Sequence, residues 1–78
     1  MAIKVLYFAK LRELRGRSEE ELQIEPGTTL QQLYQQLFPP GPEGAIPVAY
    51  TRNRRVSQGA EAIEDGDEIS FLPPLGGG

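Results

Sequence analysis

The sequence contains no cysteine, no histidine and no tryptophan, and a single methionine. Without cysteine there is no disulfide, no thiol nucleophile and no thiolate metal site. Without histidine, the commonest metal ligand and the commonest general base near neutral pH are both missing. Self-contained catalysis is therefore a poor reading of this inventory, and no catalytic residue and no metal site is expected. No apolar run approaches the ~20 residues that cross a bilayer. The opening Met1-Ala2-Ile3-Lys4 lacks the charged start, long apolar stretch and cleavage site of a signal peptide, so a cytoplasmic location is expected. A basic excess is absent too. The formal net charge is −3, and Arg52, Arg54 and Arg55 form the one dense basic cluster, which argues against a dedicated nucleic-acid binder. At 78 residues the chain makes one domain with a thin stability margin.

What is present is clearly patterned. Ile3 to Ala9, rich in Val, Ile, Tyr and Phe types and apolar on both faces except at Lys4, reads as a buried strand. Lys10 to Arg15 has leucines three apart and Gly16 behind it, which predicts a turn or two of helix. Glu20 to Glu25 alternates, with Leu22 and Ile24 opposite Glu21, Gln23 and Glu25, and predicts a half-exposed strand. Pro26-Gly27 makes a turn, and Thr28 or Thr29 caps a helix from Leu30 to about Phe38. Leu30, Leu33, Tyr34, Leu37 and Phe38 form its apolar stripe, with glutamines on the other face. Pro39-Pro40-Gly41-Pro42 stops that helix. Val48 to Thr51 is a short strand with Arg52 to Arg55 as its turn, Glu64-Asp65-Gly66-Asp67 is a second turn, and Glu68 to Leu72 is the last strand.

One amphipathic helix must bury its stripe against one sheet face. The expected fold is α+β, a β-grasp (ubiquitin-like) roll in which a mixed sheet packs on one main helix. The domain is expected over residues 1–72, with an extended flexible Pro-Pro/Gly tail over residues 73–78.

The tail is the most informative stretch. Pro73 and Pro74 have no N–H, so they end sheet pairing and hold the chain extended. The four residues beyond them reach roughly 13 Å when fully extended. Gly76, Gly77 and Gly78 have no Cβ and can thread a channel too narrow for any side chain. A slender strand ending in a carboxylate suits insertion into another protein's active site. The bland reading of such an ending is a frayed terminus or a cloning scar. A last strand followed by a stiff Pro-Pro spacer shifts the balance away from it.

Three segments together resemble one family from end to end. They are Val5-Leu6-Tyr7-Phe8-Ala9-Lys10-Leu11-Arg12-Glu13-Leu14, Asp65-Gly66-Asp67-Glu68-Ile69 and Phe71-Leu72-Pro73-Pro74-Leu75-Gly76-Gly77-Gly78. The chain resembles the small, sulfur-carrying subunit of molybdopterin synthase, the MoaD type. That resemblance implies that an ATP-dependent activating enzyme adenylates the Gly78 carboxylate, and that a sulfur-donor protein then displaces AMP to leave a thiocarboxylate. It implies that the tail, Gly76 to Gly78, enters the synthase large subunit and gives its sulfur to a cyclic pterin precursor, building the dithiolene of molybdopterin. ATP belongs to the activating enzyme, and no cofactor is held permanently. Two small and two large subunits are implied, a heterotetramer, with no nucleic-acid or membrane partner. Phe71, Pro73, Pro74 and Leu75, flanking or within the tail, are expected at the partner interface.

Gly76 stands where the family often has another small residue, and Tyr50-Thr51-Arg52-Asn53-Arg54-Arg55 differs from the acidic or neutral turn expected there. The role of the proline-rich loop from Pro39 to Ile46 is open. The arginine cluster reads as a solvated turn sooner than as a phosphate or acidic-partner site. Glu64, Asp65, Asp67 and Glu68 lack the alternating ligand spacing of a calcium loop. The alternatives are a sulfur carrier for thiamine or tRNA thiolation, a ubiquitin-like modifier joined through Gly78 to target lysines, and an interaction module whose tail does nothing.

Overall fold

Alternation along the first strand decides which way the sheet faces. In the computed structural model, which describes residues 1–42, 44 and 46–74, strand β1 (Ala2–Tyr7) buries Ile3, Val5 and Tyr7. Ala2 and Lys4 are exposed and Leu6 is half-buried, so the strand is not buried on both faces as its composition suggested. It also stops two residues early, because Ala9 turns at a φ of 51° into helix α1 (Ala9–Arg15). Leu11 fixes α1 to the core, and Gly16, at a φ of 73°, donates its N–H to the Arg12 carbonyl at 2.9 Å as the predicted cap. Strand β2 (Glu19–Gln23) returns antiparallel to β1, with Leu22 opposite Ile3 on the inner face.

Helix α2 (Leu30–Leu37) begins in a reciprocal cap. Thr29 Oγ1 accepts from the Gln32 N–H, and Gln32 Oε1 accepts from the Thr29 N–H. Its next two amides donate to the Glu61 and Gly59 carbonyls, so the 58–63 segment completes the helix start. The segment fits closely: a Cβ on Gly59 would lie 3.1 Å from the Tyr50 ring. The helix ends one residue short of the expected Phe38, ahead of the proline run.

Strand β3 (Ala49–Arg52) and strand β4 (Arg55–Ser57) form a hairpin around Asn53 and Arg54, both at positive φ (54° and 68°) as a two-residue primed turn requires. Strand β4 was not foreseen. Its three residues are too few for a period, and Val56 is 80 % exposed, so no burial pattern marks it. Strand β5 (Glu68–Leu72) falls where the sequence predicts it. The sheet order is β2-β1-β5-β3-β4, with β1 and β5 parallel and the other pairs antiparallel. The mixed sheet packed on α2 is the expected β-grasp arrangement. Among the described residues, no helix is long and apolar enough to cross a membrane.

The 64–67 turn does more than reverse the chain. Asp67 is buried, and its carboxylate accepts from Arg52 Nε at 2.6 Å, the Glu64 N–H at 2.8 Å and Asn53 Nδ2 at 2.9 Å. Arg52 is therefore withdrawn from the arginine cluster into a structural ion pair, which Glu64 shares at 3.0 Å. Burial pushes the Asp67 carboxyl up, but the Glu64 amide, Asn53 and Arg52 outweigh it and hold the group below its ordinary value.

Two outcomes follow for stability. A depressed folded pKa contributes stability above the unfolded carboxylate value, near pH ~4, that is lost as pH falls through the lower folded value. Asp67→Asn should lower stability by about 2 kcal/mol at pH 7 and flatten the acid limb below pH ~4, as read by urea melts across that range. Arg54→Gly should raise stability by about 0.5–1 kcal/mol, because glycine adopts the left-handed turn position without the Cβ clash that arginine meets. A higher urea midpoint at unchanged slope checks it.

Candidate functional site: the root of the C-terminal tail

The tail leaves from the middle of the sheet. Strand β5 is flanked by β1 and β3, and its register with β1 sets Phe71 beside Tyr7, so the chain exits at the end where β1 turns into α1. Inner and outer faces alternate up to that exit. Ile69 and Phe71 point inward and are completely buried. The Phe71 ring lies 5.1 Å from Tyr34, 5.9 Å from Tyr50 and 6.5 Å from Phe38, centroid to centroid. The expectation that Phe71 meets a partner is corrected: its whole side chain is taken up by the core.

The surface that Phe71 was expected to supply comes from its neighbours. Leu72, one position on, faces outward at 38 % exposure opposite Ala49, and Phe8, one position past Tyr7, is 44 % exposed. Neither was singled out from the sequence. The available signal was alternation, since residues that follow the inward Tyr7 and Phe71 must point out. Pro73 is half-buried and Pro74 exposed. Together with Leu72, Pro47, Val48 and Ala49 they line a shallow apolar cleft of about 390 Å³. Leu75, Gly76, Gly77 and Gly78 lie outside the described residues.

None of the six residues lining that cleft is titratable. The nearest ionisable network sits under α1, where the Tyr7 hydroxyl donates to the Glu20 carboxylate, which also pairs with Arg15 and Arg17. Burial, followed by Glu20, pushes the Tyr7 hydroxyl well above its usual pKa. The Tyr7 bond, against the cost of burial and with the help of Arg15, holds the Glu20 carboxyl below its own. Tyr7 thus stays neutral and Glu20 charged, a fixed strut for α1 that exchanges no proton near pH 7. Arg54 and Arg55 stand exposed on the β3–β4 hairpin, remote in sequence from the exit. Among the described residues no group of His, Cys, Asp and Glu is placed to hold a metal ion. Among the described residues, the lining of the exit cleft is apolar and carries no acid, base or nucleophile.

Comparison with known proteins gives this geometry a family. The model of the ThiS family matches residues 5–78. The molybdopterin synthase sulfur carrier subunit of Chlamydomonas reinhardtii is 37 % identical, covering 100 % of both chains. The protein of the same name from Arabidopsis thaliana is 33 % identical, covering 97 % of this chain and 82 % of its own. Among solved structures, small archaeal modifier protein 1 of Methanosarcina acetivorans superposes with a TM-score of 0.71 at 28 % identity, over 99 % of this chain and 96 % of that one. Subunit 1 or 2 in a protein–protein complex of the molybdopterin-converting factor from Helicobacter pylori superposes with a TM-score of 0.62 at 23 % identity, over 100 % of both chains, a likeness of fold. The chain belongs to the ThiS family, and its full-length likeness is to sulfur carrier subunits of molybdopterin synthase.

Proposed function

We propose that this chain is the sulfur carrier subunit of a molybdopterin synthase and that its working group is the carboxylate of Gly78. The observation that carries the reading is the tail root. A last strand locked into the core by Phe71 gives way at once to two prolines, in a cleft lined only by apolar residues, followed in sequence by Leu75 and three glycines. The domain, residues 1–72, holds the tail, residues 73–78, and partners do the chemistry on it.

A free carboxylate resists nucleophilic attack, so activation comes first. The Gly78 carboxylate attacks the α-phosphorus of ATP on an activating enzyme, releasing pyrophosphate and forming an acyl-adenylate. A persulfide on a donor protein adds to that carbonyl and expels AMP, and a second thiol, supplied by a partner protein, attacks the donor's sulfur in the resulting acyl disulfide, which releases the thiocarboxylate and leaves a disulfide on the partners. Gly76, Gly77 and Gly78 enter the active site of the large subunit, where sulfur passes to the cyclic pterin precursor and water restores the carboxylate. The chain is not an enzyme by itself and keeps no cofactor. The Helicobacter complex of subunits 1 and 2 supports a large-subunit partner. Pro73, Pro74 and Leu75 form the interface, with Leu72 and Phe8 in the place first given to Phe71. The pairing of two small with two large subunits, in the cytoplasm, completes the proposal.

A semisynthetic chain bearing a thiocarboxylate at Gly78, mixed with purified large subunit and the pterin precursor, should yield dithiolene product in proportion to the chain supplied. The same chain with an ordinary carboxylate, or lacking Gly77 and Gly78, should yield none. Product formed from either of those would overturn the reading, and Gly78-linked conjugates on lysines of other proteins would favour the modifier alternative.

A further inference from the structure

Asparagine and aspartate are scarce in this chain. Asn53, Asp65 and Asp67 are all of them. The side chains of Asn53 and Asp67 are taken up by each other and by Arg52, Glu64 and Glu68. Asp65 is held differently. Its carboxylate accepts from the Ala2 N–H at 2.7 Å, and the next residue, Gly66, donates its N–H to the Ala2 carbonyl at 2.7 Å. One residue of β1 therefore holds both halves of the Asp65-Gly66 unit. The bonds from Ile24 to Met1 and from Tyr7 to Ser18 make the odd-numbered residues of β1 those bonded to β2. Both backbone groups of Ala2 are left facing the turn.

An aspartate followed by glycine carries a reaction of its own. The Gly66 nitrogen bonds to Cγ of Asp65, and a carboxylate oxygen leaves as water with the amide proton and one proton from solvent. Water then opens the five-membered imide. Attack at the side-chain carbonyl restores aspartate. Attack at the main-chain carbonyl leaves isoaspartate, whose backbone runs through Cβ and Cγ and is one atom longer. Glycine favours closure because no Cβ shields its nitrogen. The turn demands that glycine all the same: Gly66 has a φ of 84°, and the Asp67 N–H donates to the Glu64 carbonyl at 3.1 Å, the pattern of a type II turn. Asp65 and Gly66 are both exposed, so burial does not restrain them. The restraint is Ala2, which draws the carboxylate and the amide toward itself and away from each other.

We propose that Asp65 is a latent isoaspartate site, guarded by Ala2 and opened when the start of β1 peels from the 64–67 turn. The proposal does not depend on the sulfur chemistry of the tail. The added backbone atom falls two residues before Asp67, whose carboxylate gathers Arg52, Asn53 and the Glu64 amide. A longer turn cannot keep that geometry, so the isomerised chain is less stable. Its displaced α-carboxylate is the group that a carboxyl methyltransferase using S-adenosylmethionine esterifies.

The experiment ages the full chain at neutral pH, folded in buffer and unfolded in urea. Isoaspartate is counted in the tryptic peptide from Val56 to Gly78, by enzymatic methyl transfer and by retention time. The folded chain should isomerise at least about tenfold more slowly, since its hydrogen bonds to Ala2 must open first. That slowing should equal the hydrogen-exchange protection of the Gly66 amide, the reacting nitrogen, and fall short of that of buried Val5. Ala2→Pro removes the N–H that Asp65 accepts and should speed the folded reaction by about tenfold. Gly16→Ala, which strains the left-handed cap of α1 beyond the other end of β1, should lower the urea midpoint and leave the rate unchanged. Isomerised chain, once refolded, should show a lower urea midpoint. Equal rates in the folded and unfolded chain would overturn the proposal. So would a slowing that follows Val5 in place of Gly66, a Gly16→Ala effect as large as that of Ala2→Pro, or an unaltered midpoint after isomerisation. The exchange comparison uses the unsubstituted chain, so it decides the matter even where Ala2→Pro does not fold.

Discussion

The Phe71 ring, held among Tyr34, Phe38 and Tyr50, is the contact on which the rest of the molecule depends. It joins the last strand to α2 on one side and to β3 on the other, while backbone pairing sets it against Tyr7 of β1. Truncation of a buried phenylalanine typically costs about 3–5 kcal/mol, a large part of the margin of so small a domain. The same residue stands two positions before the first tail proline. Core and tail root are therefore one construction, and the sheet holds the chain on both sides as far as Leu72.

The polar groups inside the domain follow the same logic. Asp67 ties the β3–β4 turn to the start of β5, Glu20 ties α1 to β2 through Tyr7 and Arg15, and the Thr51 and Ser70 hydroxyls bond to each other across β3 and β5. Each is spent on structure. A buried Arg15 Nε without an acceptor marks what this compactness costs locally. Among the described residues no such network lines the exit cleft, which is apolar.

The features legible in the sequence were those with a mechanism strong enough to act locally. The α2 stripe, its threonine cap, the Gly16 stop, the Asp65-Gly66 turn and the bounds of β5 all appear in the structure. Strand β4 escaped because edge pairing with β3, and no burial pattern, makes it a strand. The doubly buried reading of β1 failed because Leu6 and Phe8 are apolar yet lie on the open face, where composition alone says nothing of direction. Phe71 was placed at an interface for the same reason. Its proximity to the tail was visible in one dimension, but the Tyr7–Phe71 register that turns it inward is a tertiary fact. The arginine cluster was split by Asp67, fifteen residues from Arg52, a distance no local pattern spans.

The central claim is that the terminal carboxylate of Gly78 is the working group. It is tested most directly by the intact mass of the chain after incubation with ATP, its activating enzyme and a sulfur donor. The account predicts a mass rise equal to replacement of one oxygen by sulfur, dependent on ATP and lost when Gly78 is deleted. An unchanged mass for the folded chain, beside an activating enzyme shown to be competent, would contradict it.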